Sequence, residues 1–335
     1  MLVSVVCEKK WAFYKVGIDM SAAFDTIKRE TVLNLLQDAG CSEDDMRLVR
    51  FLLSNTRLKV RVNNSMSLEF YSTNGSFQGE AASGTLFTLT LAGALNALRV
   101  RKDVPRPIIP ISDTLMPLES EYADDVNFYD VDKGKLDLML PIAKDVLEDW
   151  CLYMNETKTE EVHFYLAKKG DVDAEGNALI DNEEWRSSKL LGSLLCSVKD
   201  INRRIILGNI AFNNFKNVWM QGNKISLKKR LRIYDAQVVS ILLYNSGSWA
   251  APKHIFEKIN TCHRNHLRSI MNVKWPNKIT NTCLYKVTNT KPLTTRIEQS
   301  RWKLFGHILR STENTPASLS LMFAADSSEK KKLPG

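Results

Sequence analysis

Three carboxylates stand out for the chemistry their types and spacing could support. Asp124 and Asp125 are adjacent within Glu121-Tyr122-Ala123-Asp124-Asp125-Val126. Neighbouring carboxylates repel one another unless a cation sits between them, and their oxygens are hard ligands suited to a divalent ion. Taken alone, the pair reads first as an ordinary polar turn. Asp19 changes that balance. It ends an apolar, aromatic-rich run over 11–18 that reads as a buried strand. Carboxylates mounted at the ends of strands in a rigid sheet are well placed for metal chemistry.

The elements that must hold these acids follow from the hydrophobic pattern. Residues 115–122 and 126–131 read as hairpin arms with the acidic pair at the bend. Strand side chains alternate faces, so a hairpin tip is one of the few places where neighbouring aspartates reach a common region. Between Asp19 and this hairpin, amphipathic helices are expected over 31–36, closing near Gly40, and over 44–53. Strand-like alternation follows over 57–63 and 67–72. Gly75-Ser76-Phe77-Gln78-Gly79 is a glycine-bounded loop opening a buried helix over 81–98. Its glycines would let backbone approach a ligand closely, and Gln78 could hydrogen-bond a base or sugar. The same stretch also reads as a plain turn before a helix. A proline-rich loop spans 101–114. Beyond the hairpin come a helix over 135–153, a polar turn at 155–160, a strand over 161–166, an exposed acidic turn over 170–181 and a short apolar strand at 189–195 broken by Gly192. The pattern then turns helical over 200–220, 225–245, 253–271 and 294–310. The tail from 311 reads as loosely ordered.

Composition sets the class. At 335 residues the length suits two or three domain-sized units, and 44% hydrophobic residues suffice for real cores. No run of about 18 apolar residues is present, so no transmembrane helix is expected. The first residues lack the form of a secretory signal. Six cysteines without a CxxC pair read as reduced thiols. These features point to an intracellular, nuclear protein, neither secreted nor membrane-bound. Charge is uneven. Residues 199–335 hold 24 Lys and Arg against 7 Asp and Glu, whereas residues 1–198 hold 22 against 31. An acidic front with a strongly basic back suits a metal-using site joined to a surface that grips a polyanion. Trp219, Trp249, Trp275 and Trp302, interspersed in the basic half, favour nucleic acid over a merely solvated basic face.

Five stretches in order carry a family likeness. DMSAAFD (19–25), GSFQG (75–79), YADD (122–125), NETKTEEVHF (155–164) and KLLGSLL (189–195) resemble the successive palm motifs of reverse transcriptases. LSNTRLKVRVN (53–63), NSGSW (245–249) and RWKLFGHILR (301–310) are similar to segments of the non-LTR, LINE-like retrotransposon branch. The likeness covers roughly 11–310. It implies an α+β fold, with a largely antiparallel palm over 1–198, a helical basic thumb and extension over 199–310, and a tail over 311–335. It further implies an RNA-directed DNA polymerase taking dNTPs, an RNA template and a DNA primer or target.

The same resemblance assigns roles. Asp19, Asp124 and Asp125 would be catalytic and, with the Met20 carbonyl, would hold two Mg²⁺ ions, Mn²⁺ being the alternative. Asp25 reads as structural or peripheral. Phe24 matches the bulky ring that excludes a ribose 2′-hydroxyl, its other reading being a core aromatic. Gln78 and Gly79 would line the nucleotide or template, and Gly192 the primer-grip turn. Lys158 would protonate or neutralise pyrophosphate, or else be simply solvated. The chain opens almost at the first motif, so the fingers and endonuclease of the family are expected to be absent. A catalytically silent remnant that only binds nucleic acid is the other reading.

Cys262, His263, His266 and Cys283 could ligate zinc, but their spacing fits no strong ligand pattern. His263 and His266 read instead as surface groups or backbone contacts on a basic helix, and His307 as core-edge.

Overall fold

The computed structural model describes residues 13–21, 23–54, 56–76, 82–104, 110–111, 114–115, 119–164, 183–220, 224–311, 315 and 317–318. The fold is α+β, with every strand pair antiparallel. Two compact units divide at 182/183. Lys189–Leu194 therefore belongs to the second unit, whereas the sequence boundary was drawn after 198. Among the described residues no helix is long and apolar enough to cross a membrane.

In the first unit a four-stranded sheet runs in the order Glu160–Phe164, Phe13–Ile18, Asp125–Asp130, Glu119–Tyr122. The period-2 alternation of Phe13–Ile18 sorts its side chains. Val16 and Ile18 face the core opposite Phe128 and Val126. Phe13, Lys15 and Gly17 take the other face, where Phe13 stacks on Tyr129 at 5.6 Å and meets the tilted ring of Phe164 at 5.4 Å. Both faces are covered, which is why this run reads as apolar throughout.

Two helices close the core side. Ser83–Val100 buries Phe87, Leu91, Leu95 and Leu98, one stripe of a 3.6-residue repeat. Gly93 on this helix leaves room for Trp150: a Cβ there would stand 2.6 Å from the ring. Lys133–Asp149 buries Leu136, Met139, Ala143 and Leu147. Its cap is Asp132, which accepts from Gly134 N at 2.9 Å.

The strands expected over 57–63 and 67–72 are much shorter in the structure. Only Arg57–Leu58 with Phe70–Tyr71 and Arg61–Val62 with Ser65–Met66 form ladders. Val60, Val62, Met66 and Leu68 are all exposed, Leu68 by 91%. Alternation without a packed face does not hold a long strand.

The second unit is helical, with Ser197–Asn214, Leu227–Tyr234, Lys253–Ile270, Asn281–Thr288 and Leu293–Arg310 around one core. The Asn281–Thr288 helix lies outside the helical stretches read from the sequence. Trp219 and Trp249 are core residues, at 2% and 3% exposure, while Trp275 and Trp302 are exposed. The two buried indoles have internal acceptors, Phe212 O at 2.8 Å and Asp200 Oδ2 at 2.9 Å. Burial therefore removes Trp219 and Trp249 from the nucleic-acid reading.

Lys189–Leu190 and Ser193–Leu194 form a hairpin rather than one broken strand. Its two tip residues, Leu191 and Gly192, both have positive φ, as a tight hairpin turn requires. Tyr244 Oη donates to Leu191 O at 2.8 Å, and Arg203 donates to Gly192 O at 3.0 Å.

Candidate active site

Three segments meet at Asp19. The Phe13–Ile18 strand delivers it. Met20–Ser21 then pairs with Tyr153–Met154, and Asn155 N donates to Asp19 O at 2.8 Å. The short helix Glu156–Lys158 turns the chain so that Lys158 Nζ reaches Asp19 Oδ2 at 3.0 Å. The third segment is the hairpin. Glu119–Tyr122 and Asp125–Asp130 are joined by Ala123 and Asp124, with Tyr122 opposite Asp125. The bend is therefore Ala123–Asp124, and Asp125 opens the second arm, on the sheet face shared with Asn127 and Tyr129. Because Ile18 pairs with Val126, Asp19 leaves its strand beside Asp125.

The acids share one electrostatic environment. Burial lifts the Asp125 carboxyl above the usual carboxylate range, and the charges of Asp124 and Asp19 lift it further. Lys15 acts in the opposite direction. It is 3% exposed, inside the sheet face that carries these acids. Burial lowers its ammonium pKa, partly offset by Glu160 and Asp125. Gly17 makes room for it: a Cβ there would lie 3.5 Å from Lys15 Nζ and 3.0 Å from Asn127 Oδ1.

Lys15, Asn127 and Glu160 are site-shaping residues that the sequence reading missed. The available signal was a lysine four residues before Asp19 in an otherwise apolar strand, hence on the same face.

The donor set suits a divalent ion, offering hard carboxylate oxygens and one carboxylate whose charge burial and like neighbours destabilise. It is not a preformed cage: among the described residues no three acidic, histidine or cysteine side chains are arranged to hold a metal ion. In this arrangement the cation at Asp19 is Lys158.

The other candidates separate. The Met20 side chain lies in the core at 5% exposure, its backbone paired with Met154. Phe24 is half-buried, its ring 4.9 Å from that of the fully buried Phe87. Asp25 is exposed. Gln78 and Gly79 lie outside the described residues, but the start of their loop is fixed. Gly75 N donates to Ile27 O at 2.8 Å and Ser76 N to Phe24 O at 2.9 Å. Arg29, also missed, ties the same loop down through Gly75 O, Ser72 O and Leu53 O at 3.0, 2.8 and 2.6 Å. Gly192 belongs to the second unit's hairpin.

Residues 4–202 match the family model described as reverse transcriptase (RNA-dependent DNA polymerase). The chain belongs to the reverse transcriptase family. No curated protein matches this reverse transcriptase. Similar solved structures include telomerase from Candida tropicalis in complex with a TWJ fragment of telomeric RNA (13% identity, TM-score 0.40, covering 84% of this chain and 49% of that one). The corresponding complex from Candida albicans has 13% identity and a TM-score of 0.38, covering 89% and 51%. Apo telomerase from Candida tropicalis has 12% identity and a TM-score of 0.39, covering 94% and 54%. The reverse transcriptase chain thus spans about half the length of these proteins.

In the second unit the histidine reading is corrected. His263 and His266 are buried, at 2% and 6% exposure, and His307 is exposed rather than core-edge. His266 stacks on Phe212 at 4.0 Å. Cys283 is exposed while Cys262 is buried, and no metal-holding group forms among the described residues. Burial holds His263 at about 3 and His266 at about 4. Unfolded histidine titrates near 6.5, so between these values the unfolded chain binds more protons. Stability is then full above pH 6.5 and falls as pH drops toward 4. By pH 5 each ring should cost about 2 kcal/mol. Thermal unfolding followed from pH 7.5 to 5 should show this loss; a flat midpoint would contradict neutral buried rings.

Proposed function

We propose that this chain is an RNA-directed DNA polymerase of the non-LTR retrotransposon type, extending a DNA primer with dNTPs on an RNA template. The observation that carries this reading is the convergence of Asp19, Asp124 and Asp125 in one electrostatic environment with Lys158 bonded to Asp19. Two divalent ions, Mg²⁺ or Mn²⁺, would activate the primer 3′-hydroxyl and stabilise the leaving pyrophosphate. Asp19, Asp124, Asp125 and the Met20 carbonyl are the groups to hold them. Lys158, 3.0 Å from Asp19 Oδ2, serves as the acid for the departing pyrophosphate. Gln78 and Gly79 line the nucleotide, and Gly192 supports the primer. The palm corresponds to the first unit and the thumb to the basic helical one, whose lysines and arginines hold the nucleic-acid backbone with a steep salt dependence. The order and spacing of the five motifs support a reverse transcriptase, and the stretches at 53–63, 245–249 and 301–310 support the LINE-like assignment.

Phe24 supplies the test of substrate class. Its ring packs on Phe87 from one side and is half-buried, which supports a wall against a sugar 2′-hydroxyl. Phe24→Ala is expected to admit ribonucleotides, raising rNTP incorporation relative to dNTP by about tenfold or more. The check is primer extension on an RNA template with each nucleotide set. An unchanged ratio would remove Phe24 from the site. No extension by the unmodified chain, with nucleic-acid binding retained, would favour the silent-remnant reading.

A further inference from the structure

Two lysines stand by the acids of the first unit, and they differ in freedom. The Lys158 side chain is 64% exposed where it meets Asp19, so it can swing aside for an arriving ion. Lys15 is 3% exposed and cannot. The sheet decides where its charge goes. Side chains alternate faces along a strand, so Lys15 and Gly17 share a face with Tyr129, Asn127 and Asp125. Lys15 pairs with Tyr129 and Val162, and Gly17 with Asn127 and Glu160. A Cβ on Gly17 would lie 3.5 Å from both Cε and Nζ of Lys15. The ammonium thus lies over Gly17, away from the aromatic end of the face and one step toward Asp125, with Glu160 on the strand to the other side.

The charges act on one another as this placement requires. Asp125 and Glu160 raise the Lys15 ammonium against the effect of its burial, and Lys15 lowers the Asp125 carboxyl. A buried cation without opposing charge is costly, and so are adjoining carboxylates without a cation. The same fixed charge has a second consequence. Asp125 is exposed and Asp124 half-buried, so an ion from solvent can reach them. A positive charge held behind them repels that ion.

We propose that Lys15 is a positioning residue, the resident counter-ion of Asp125 and Glu160, which balances these acids when no divalent ion is bound and keeps the site's affinity for such an ion low. This rests on the reading that Asp19, Asp124 and Asp125 receive divalent ions.

The test is Mn²⁺ binding to the full chain without nucleotide, followed by electron paramagnetic resonance of the free ion at about pH 8, well above ordinary carboxylate titration. Lys15→Met keeps the length of the side chain and removes its charge. It should bind Mn²⁺ about fivefold or more tightly than the unmodified chain, and Lys15→Gln should do the same. Adding Glu160→Gln to Lys15→Met restores the net charge and should return the affinity toward the unmodified value, which repair of packing alone would not do. Adding Asp124→Asn instead should remove the tightened site. Should neither neutral variant fold, Asp125→Asn must rescue folding, because it removes the charge left unbalanced; failure to rescue overturns the proposal. It is likewise overturned if Lys15→Met binds Mn²⁺ no tighter than the unmodified chain, or if Glu160→Gln leaves the tightened affinity unchanged. Those results, with Mn²⁺ binding still sensitive to Asp124→Asn, overturn the role of Lys15 alone. Binding that ignores Asp124→Asn places the ion elsewhere and overturns the reading of the aspartates as well.

Discussion

Asp124→Asn is expected to lower primer extension on an RNA template by about three orders of magnitude while leaving nucleic-acid affinity unchanged. The substitution keeps the size of a side chain at the Ala123–Asp124 bend, so the hairpin and its pairing of Tyr122 with Asp125 should persist. What it removes is one negative charge from the group that raises the Asp125 carboxyl. The loss should therefore fall on the chemical step, visible as a drop in kcat with little change in KM for the primer. Asp25→Asn should be much milder, because Asp25 is exposed and contributes chiefly its backbone to the packing of the Gly75 loop. Parallel extension and filter-binding assays separate the outcomes. Extension that survives Asp124→Asn would sink the assignment of the hairpin as catalytic.

Gly75→Ala should be the most damaging single methyl in the first unit. Gly75 has φ +77, and a Cβ there would stand 2.8 Å from Asp25 O, 2.9 Å from Asp25 Cα and 2.9 Å from Phe24 O. All three are backbone atoms of the segment that follows Asp19, so no side-chain rotation relieves the contact. The left-handed conformation costs about 1–2 kcal/mol for an L-residue, and overpacking adds about 1–3 kcal/mol. A loss of about 2–5 kcal/mol in unfolding free energy is expected, with the loop detached from Phe24 even where the fold survives. Denaturant unfolding measures it. A change below about 0.5 kcal/mol would mean that the loop does not bear on the segment that follows Asp19.

Much of the site was legible because it depends on local pattern. An apolar run ending in Asp19 reads as a strand that delivers a carboxylate to its end, and YADD between two strand-like arms reads as a bend, which the structure narrows to Ala123–Asp124. Lys15 carried one signal, its place four residues before Asp19, but its burial depends on Gly17 and on Glu160, which joins the neighbouring strand from far along the chain. The same limit explains the second unit. Composition counts Trp219, Trp249, His263 and His266 as available to a ligand. Only the packing against Phe212, Tyr234 and Asp200 shows that they are spoken for. In the opposite sense, the alternation over 57–72 promised strands, but no layer covers Val62, Met66 or Leu68, and without burial the ladders stop after two residues. The loop at Gly75 was read from its glycines, whereas the guanidinium that holds it, Arg29, carries no local signature.

The central claim is that Asp19 and the Asp124–Asp125 pair serve one divalent-cation site. Iron-directed cleavage tests it most directly, since Fe²⁺ bound in place of Mg²⁺ and supplied with hydrogen peroxide and ascorbate reduces the peroxide to hydroxyl radicals that cut the backbone within reach of the ion, independently of any polymerase activity. Fragments mapped by mass spectrometry should end near residue 19 and near residues 124–125 together, should be suppressed by excess Mg²⁺, and should vanish in Asp19→Asn. Cleavage at only one of the two segments, or cuts that persist in Asp19→Asn, would contradict a shared site.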